Sequence, residues 1–349
     1  MKINLGVGRG YGAVVVALLL AIIILPRVLS SDQYILRPGG NFDIESRVTV
    51  PPEMRREMGK ISFTAVRATR ANWIDVFLAQ FDPSLEVVPR QAIRPDGVSP
   101  TELREMNELL IEESKLIAAL VGLRAAGYQT AITGQGAAVQ VVVAGGPSDG
   151  IVLPGDIIIR VNDEPSPTAP EAVEIVRRLR VGDEAVLTVL RNDQEVRLTV
   201  RTGPSGEEPG RAAIGTMIST KLFDIALPFP VEIDTENVGG PSAGLMFALG
   251  VLDVVTPGLL TQGYVVAGTG SLAADGRVGP IGGVGPKLAA AELAGAELFF
   301  APTANFDEAR ARARSIRVVS IARFADAVHH LCGLTPTRDA TPPPAVLCE

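Results

Sequence analysis

The longest apolar run of the chain lies close to its N-terminus. Residues 11–25, YGAVVVALLLAIIIL, contain no charged or strongly polar side chain, and Lys2, Arg9 and Arg27 flank them. As a helix this run would measure about 22 Å at ~1.5 Å per residue; one further turn, with snorkelling of the arginines, brings it to the ~30 Å of a hydrocarbon core. The pattern predicts one transmembrane helix within 1–30. Because basic residues precede the run, we expect a cytoplasmic N-terminus and an extracytoplasmic remainder.

Two other interpretations of this run stay open. A secretory signal peptide would be cleaved near 28–30, although Val-Leu-Ser is a weak small-residue site. A buried helix of a soluble protein is the second alternative. The poor cleavage site favours an uncleaved anchor. The sequence therefore predicts a single-pass protein of the cytoplasmic membrane that contacts lipid through this helix, with its catalytic part extracytoplasmic.

The following stretch, 31–126, predicts an extracytoplasmic α/β region. KISFTAVRA at 60–68 alternates as a strand does, and one helix is expected around 71–81. Ser99 and Glu102 form a capping box, behind which apolar residues recur at helical spacing to the end of the region. The part before this long helix is too short and irregular to hold a core of its own. We therefore expect its strand to pack against the C-terminal unit, as part of one discontinuous fold.

Residues 127–203 predict a small β-rich unit. Its segments are VQVVVAG at 139–145, LPGDIIIRVND at 153–163, PEAVEIVRRLR at 170–180, AVLTVLR at 185–191 and EVRLTVR at 195–201. The turn and strand with Gly155 and Asp156, and the single helix before the last hairpin, resemble a PDZ domain, in which a peptide adds as a strand beside the helix. The family's carboxylate-binding loop would fall at 133–139, where TGQGAAV departs from the usual form. A β-rich spacer without ligand is the alternative.

The stretch 203–210 has the composition of a linker, and 211–334 predicts a unit of alternating strands and helices. Its segments are a strand at 230–234, a helix from Ala243 to about Val255, a hairpin of 263–272 with 276–283, a helix from Pro286 or Lys287, and buried strands at 297–302 and 316–321 around a further helix. The pattern is that of the α/β class. A Pro-rich tail without a packing pattern follows at 335–349.

Composition narrows the range of functions. The net charge is −7 and no long basic run occurs, which argues against nucleic acid as a partner. The two cysteines, Cys332 and Cys348, could bridge outside the cytoplasm. The two histidines, His329 and His330, are adjacent, and no His, Cys and carboxylate cluster has metal-ligand spacing, so we expect no metal and no cofactor. These 349 residues contain no GxxxxGK[ST] loop, so we expect no ATP binding.

Ser242 lies in GGPSAG at 239–244, where a Gly-rich turn enters an apolar helix. Small neighbours let a peptide backbone approach closely. The helix N-terminus offers free N–H groups and a partial positive charge, which can stabilise an oxyanion. From this position we expect Gly240 and the amides of Ser242 and Ala243 to form an oxyanion site. A serine that only caps the helix is the alternative.

Lys287 stands near the start of a second helix, where the helix dipole opposes its charge. Apolar neighbours such as Leu288 and Ala289 would lower its pKa. A lysine that is neutral near pH 7 can take the proton of a serine hydroxyl. No histidine precedes Ser242, so the His-Asp-Ser order of trypsin-like PDZ proteases is absent. A solvated surface lysine is the alternative.

GGPSAG and the later run AGTGSLAADGRVGPIGGVGPKLAAAELAGAELFFAP at 267–302 resemble the proteolytic domain of Lon peptidases. The order of anchor, PDZ-like unit and this unit is similar to that of the membrane-anchored, PDZ-containing Lon-like group of bacteria. The resemblance implies an α/β (α+β) proteolytic domain in which Ser242 is the nucleophile and Lys287 the general base. It also implies that Thr269, in AGTG, helps to hold the lysine.

One position departs from the family pattern. ATP-dependent Lon enzymes usually carry an acidic residue three places before the serine, where this chain has Gly239; we expect Asp234 or Glu236 to supply any such carboxylate. The resemblance implies an ATP-independent serine endopeptidase that cuts unfolded or accessible polypeptide segments, with the PDZ-like unit binding or positioning the substrate. It further implies a homo-oligomeric ring. An inactive, membrane-tethered PDZ scaffold is the alternative function.

Overall fold

The computed structural model describes residues 30–206, 210–221, 223–236, 238–337 and 340–348. The first section contains β1 (Ser30–Asp43), β2 (Val48–Thr49), β3 (Ile61–Asn72), α1 (Trp73–Leu78), β4 (Glu86–Pro89), α2 (Arg90–Ile93) and α3 (Pro100–Ala125). The middle section contains β5 (Ala131–Gly134), β6 (Ala137–Val142), β7 (Ile157–Val161), β8 (Glu164–Pro165), α4 (Ala169–Arg177), β9 (Glu184–Arg191), β10 (Gln194–Arg201), β11 (Gly203–Pro204), β12 (Ala212–Ala213), β13 (Thr216–Thr220) and β14 (Phe223–Ala226). The last section contains β15 (Glu232–Ile233), α5 (Gly244–Val255), β16 (Val266–Gly268), β17 (Ser271–Leu272), β18 (Val278–Gly279), α6 (Val284–Leu293), β19 (Leu298–Pro302), a 3₁₀ turn at Thr303–Asn305, α7 (Phe306–Arg312), β20 (Arg317–Ile321), α8 (Phe324–Cys332) and α9 (Ala345–Cys348).

The largest sheet combines strands from both ends of the described chain. Its order is β20-β19-β16-β3-β1-β4, and β3 pairs in parallel with β16, so that Ile61 lies opposite Val266. The strand at the start of the chain and the strands after Ser242 therefore belong to one sheet. The middle section is an insertion between them.

Helices cover both faces of this sheet. Because neighbouring residues of a strand point to opposite faces, Phe300 packs with α3, α5 and α8 on one side, whereas Phe299 packs with α6 and α7 on the other. The first face holds the larger core, in which Phe63 and Phe247 are fully buried and meet edge to face at 5.0 Å. Burial of a phenylalanine side chain of this kind contributes about 2 to 3 kcal/mol. The result is a three-layer unit that positions the loops after β16 and before α5.

The middle section forms a separate sheet with its own core. The strand order is β10-β9-β7-β6-β13, and α4 packs against it. The predicted unit at 127–203 is too short, because β13 at 216–220 pairs antiparallel with β6 and so belongs here rather than to the unit predicted at 211–334. The segment 203–210 is also not a plain linker, since β11 pairs with β12.

The C-terminal tail is packed rather than loose. Thr337 donates its backbone N–H to Gln262 O at 3.0 Å, and Leu259 donates its N–H to Thr341 O at 2.7 Å. A disulfide joins Cys332 in α8 to Cys348 in α9. The prediction of a tail without packing was wrong, because these contacts are made to the distant loop after α5 and leave no periodic signal in the tail itself.

The described part of the chain holds no helix that combines the length and the apolar character needed to cross a bilayer. The predicted transmembrane helix within 1–30, with its apolar run at 11–25, falls outside the described residues.

Candidate active site

Ser242 lies in a tight turn that leads into the buried helix α5. The helix begins at Gly244, and its N-cap is Ala243, which makes no side-chain capping bond. Ser242 therefore does not cap the helix, and its half-buried side chain is left for other contacts. The turn is fixed to the end of β16, because the Ser242 carbonyl accepts from Gly270 N–H at 2.7 Å and from Thr269 Oγ1 at 2.9 Å.

Lys287 lies in the first turns of α6. This helix begins at Val284, earlier than the predicted start at Pro286 or Lys287, because Gly283 at φ +70° provides the N-cap and Pro286 falls inside the first turn. A side chain at position 283 would approach Val66 to 3.0 Å and would also require a strained backbone, so glycine suits this cap. Lys287 is only 2% exposed, which excludes the solvated surface lysine.

Ser242, Thr269 and Lys287 meet at one point. Lys287 Nζ lies 2.8 Å from Ser242 Oγ and 3.0 Å from Thr269 Oγ1. Thr269 is fully buried, and its hydroxyl hydrogen is used in the bond to the Ser242 carbonyl. The threonine oxygen can therefore only accept from the lysine. This arrangement holds the lysine nitrogen against the serine hydroxyl.

The environment of Lys287 favours the neutral amine. Burial lowers its pKa from 10.5 to about 7, and the charge of Glu86 on β4 raises it in part. Burial in turn raises the pKa of Glu86, with Lys287 acting in the opposite direction. An amine with a pKa near 7 can accept and return a proton at neutral pH.

The carboxylate near Lys287 is not one of those expected from the sequence. Glu236 is exposed and is paired with Arg47 at 3.0 Å, and Asp234 is exposed and accepts from the Glu236 N–H. Glu86 instead comes from the strand at the edge of the large sheet, and its Oε2 atom is buried without a hydrogen-bond partner among the described residues. Sequence spacing could not identify it, because it lies far from Ser242 along the chain.

The three residues expected to form the oxyanion site differ in whether their N–H groups are free of partners among the described residues. The N–H of Gly240 donates to Asn107 O at 3.1 Å, so it is not free for a substrate oxygen, and the expectation for Gly240 as a donor was wrong. Its φ of +85° instead allows the turn before Ser242. The N–H groups of Ser242 and Ala243 have no acceptor among the described residues, and they lie at the N-terminus of α5. These two amides are placed to meet a negative oxygen.

Two clefts meet at Ser242. One, of about 280 Å³, is bordered by Lys287, the turn at 238–243 and residues 64–67 of β3. The other, of about 270 Å³, is bordered by α3, α4, β13 and the hairpin β17–β18. An extended chain lying across Ser242 could therefore occupy both. The strand residues 64–67 were not predicted as part of the site.

The second cleft is bordered partly by the middle domain. β13 is the edge strand of that sheet and lies beside α4, and Ile218 of β13 and Val173 of α4 both border the cleft. The loop that was predicted to bind a carboxylate, at 133–139, leads into β6. This strand is paired with β7 on one edge and with β13 on the other, so it has no open edge. Arg277 of the hairpin reaches across to Glu174 of α4 at 3.4 Å, so that α4 forms a wall of the cleft containing Ser242.

Within the described ranges, no group of three or more His, Cys, Asp or Glu side chains is arranged to hold a metal ion. The residues that border the two clefts carry no other candidate nucleophile and base as close together as Ser242 and Lys287. The chemistry available at this point is therefore proton transfer between a serine hydroxyl and an amine.

The two halves of this arrangement match two known domain families. Residues 97–202 match the family model of the PDZ domain, and residues 231–330 match that of the Lon protease (S16) C-terminal proteolytic domain. The proteolytic match includes Ser242, Thr269 and Lys287. The PDZ match ends before β13, which the structure adds to that sheet.

A curated relative and several solved structures are similar to parts of the chain. Lon protease 2 of Bacillus subtilis (strain 168) is 30% identical over 115 residues, which are 33% of this chain and 20% of that protein. The chain thus spans about a fifth of the length of this relative. The PDZ domain of the SdrC-like protein from Listeria innocua is 19% identical, with a TM-score of 0.23, over 24% of this chain and 93% of that one. The corresponding domain from Listeria monocytogenes is 17% identical, with a TM-score of 0.22, over 24% and 86%. The chain therefore combines a region that matches the PDZ domain with a region that matches the Lon-type proteolytic domain.

Proposed function

We propose that the protein is an ATP-independent serine endopeptidase in which Ser242 is the nucleophile and Lys287 the general base. The observation that carries this proposal is the 2.8 Å contact between Lys287 Nζ and Ser242 Oγ, made by a lysine that is 2% exposed. A hydrogen bond between a serine and a buried, neutral amine is the arrangement that activates a hydroxyl at neutral pH.

The proposed reaction has two halves. Ser242 Oγ attacks the substrate carbonyl carbon while its proton moves to Lys287 Nζ, and the N–H groups of Ser242 and Ala243 donate hydrogen bonds to the negatively charged carbonyl oxygen. Lys287 then gives the proton to the departing amine as the C–N bond breaks, which leaves an acyl-serine. In the second half a water molecule gives its proton to Lys287 and attacks the acyl carbon. The proton returns to Ser242 Oγ as the acid product leaves.

Thr269 acts in this scheme as a positioning residue. Its oxygen accepts one N–H of the neutral amine, since its own hydrogen is used on the Ser242 carbonyl. The amine lone pair is then directed toward Ser242, whose hydroxyl donates to it. Such preorganisation avoids a rotation of the lysine at the moment of reaction.

The substrate is an extended, unfolded or accessible polypeptide segment. A folded domain could not enter clefts of about 270 and 280 Å³ that meet at Ser242, whereas a single extended strand could. The groove between α4 and β13 opens into one of them, so the PDZ domain would hold part of the same chain that is cut. Because these 349 residues contain no Walker A loop, we expect no dependence on ATP.

We place this activity at the cytoplasmic membrane, on its outer side. The apolar run at 11–25 supports an anchor, and the disulfide between Cys332 and Cys348 supports an oxidising compartment. A homo-oligomeric ring would be compatible with this arrangement and remains a proposal from the family resemblance.

A test of the proposed function uses the full chain in detergent or lipid, with unfolded casein as substrate and a fluorophosphonate as a serine-directed probe. Ser242→Ala is expected to abolish both cleavage and labelling, and Lys287→Met to reduce cleavage by more than about 10³-fold. Ser271→Ala is the matched control, because Ser271 borders the same cleft and should not be required. Undiminished cleavage by Ser242→Ala would overturn the proposal. Absence of cleavage and labelling in the unaltered protein would favour the inactive scaffold.

A further inference from the structure

We propose that helix α1 and the turn that follows it rest on the surface of an anionic phospholipid bilayer. This segment carries five exposed apolar side chains, Trp73, Ile74, Phe77, Leu78 and Phe81. Their spacing is that of one face of a helix. The exposed fractions are large, with 59% for Trp73, 58% for Phe77 and 72% for Phe81. These three aromatic residues lie within about two turns of helix. We call these five residues the aromatic face.

The aromatic face is held open rather than collapsed onto the protein. A capping box between Asn72 and Asp75 fixes the start of α1, and the turn after it is closed by Phe81 N–H donating to Leu78 O at 3.0 Å. Phe77 and Phe81 contact each other edge to face at 5.2 Å. A rigid, contiguous apolar surface of this kind marks a site of contact with another apolar body.

The position of the aromatic face points to lipid. Ser30 is the first described residue, and it pairs with Asn72, directly before α1. The apolar run at 11–25 ends five residues before Ser30, which corresponds to at most about 18 Å of extended chain. If that run lies in a bilayer, the aromatic face is confined to the neighbourhood of the membrane surface.

The chemistry of the segment fits the interfacial region of a bilayer. Tryptophan is enriched there, since its ring is apolar and its N–H is polar. Arg67 and Arg70 are exposed at the end of β3 that leads into α1, where they can meet anionic headgroups. The acidic residues of the segment are already engaged, because Asp75 is paired with Arg37 at 2.6 Å and Asp82 accepts from Ser84 Oγ at 2.7 Å.

The sole tryptophan of the chain makes this proposal directly measurable. Trp73 supplies all of the tryptophan emission of the full-length protein. The full chain is reconstituted into vesicles of phosphatidylcholine and phosphatidylglycerol, with and without lipids brominated near the headgroup. We expect a blue-shifted emission that is strongly quenched by the brominated lipids and weakly by aqueous iodide.

Either of two quenching results for the unaltered protein would overturn the proposal. Quenching by iodide but not by brominated lipid would place Trp73 in water. Protection from both quenchers would place it against protein, as in a contact with a second copy of this chain.

A variant provides a second measurement. The double variant Phe77→Asp with Phe81→Asp should reduce the quenching by brominated lipid and leave the melting transition unchanged. Leu293→Asp is the matched control, because Leu293 is 83% exposed at the end of α6 and is not part of the aromatic face. Equal quenching in all three proteins would also count against the proposal.

Discussion

Lys287 Nζ is 2.8 Å from Ser242 Oγ, and Glu86, the acidic residue of the described chain whose charge raises the pKa of this lysine, comes from a strand at the edge of the large sheet. The pKa of the lysine is therefore set mainly by its burial, which lowers it to about 7, and is adjusted upward by Glu86. Both effects have measurable consequences under the proposed mechanism, in which Lys287 acts as a base in its neutral form.

The first prediction concerns the pH dependence of peptide cleavage. The neutral fraction of Lys287 grows as pH rises, so kcat/KM is expected to increase about tenfold per pH unit below 7 and to level off above it. In Glu86→Gln the charge that raises the pKa of Lys287 is removed, so the midpoint should move to lower pH. Rates from pH 5 to 9 with a short peptide would measure both effects. A flat profile would contradict the assignment of Lys287 as the base.

The second prediction concerns Thr269. Thr269→Val keeps the shape of the side chain but removes the oxygen that accepts from Lys287 and the hydroxyl that donates to Ser242 O. We expect kcat to fall by roughly 10- to 100-fold with little change in KM, since the defect lies in orientation. Thr269→Ser should restore most of the rate. Thr256→Val is the matched control, because Thr256 is also buried and bonded to a carbonyl, that of Leu252 at 2.7 Å.

The third prediction concerns the wall that the PDZ domain contributes to the cleft. Val173→Asp places a charge in the apolar part of this wall, and kcat/KM for casein should fall by roughly tenfold, about 1.4 kcal/mol. Labelling of Ser242 by the small fluorophosphonate should not change. Val181→Asp, in an exposed turn after α4, serves as the control. Equal casein cleavage by the two variants would show that α4 does not contact substrate.

The fourth prediction concerns stability. Between about pH 7 and 10.5 Lys287 is protonated in the unfolded chain but neutral in the folded chain. The free energy of unfolding therefore rises with pH over this range, and burial of the lysine destabilises the fold most at and below pH 7. Lys287→Met removes this destabilisation but also removes two hydrogen bonds. The net effect should be a free energy of unfolding that is higher by roughly 2 to 4 kcal/mol at pH 7. Denaturant unfolding at pH 7 and pH 10 should show the difference shrinking at the higher pH. A less stable variant at pH 7 would contradict the lowered pKa of Lys287.

The fifth prediction concerns the disulfide. Cys332 and Cys348 are 16 residues apart, and closing a loop of this size stabilises a protein by about 3 kcal/mol in the chain-entropy account. Cys332→Ser and Cys348→Ser should each lower stability by that order, and the double variant by no more, because all three lack the same bond. Thermal unfolding with and without reductant is the measurement. Two additive losses would indicate that the cysteines act separately.

The sequence predictions that agree best with the structure are those that rest on local rules such as helix capping. Helix α3 begins at Pro100 because Ser99 and Glu102 form the expected capping box, and it ends within a residue of the predicted end. The expectation that Ser242, Thr269 and Lys287 belong together came from a family resemblance, and the structure places all three within hydrogen-bonding distance. No local pattern could have provided these distances.

The expectations that were corrected depend on partners far along the chain. The sequence alone does not reveal that the Gly240 N–H is bonded to Asn107. It also does not reveal that β13 is the edge strand beside α4. Both contacts join segments that are distant in sequence. The start of α6 was misplaced for a different reason. Pro286 is usual at a first helical position, but a left-handed Gly283 already begins the helix two residues earlier.

The pairing of β3 with β16 has a consequence for the order in which the protein is made. Ser62 and Val266 lie in adjacent strands, yet 204 residues separate them. At roughly 5 to 20 residues per second, a ribosome needs on the order of 10 to 40 s to bridge that distance. During this time β1 and β3 have left the exit tunnel without their central partner, whereas the PDZ domain can already be complete. The site at Ser242 can therefore form only after β16 and Lys287 have emerged, so the proposed peptidase activity would begin late in synthesis.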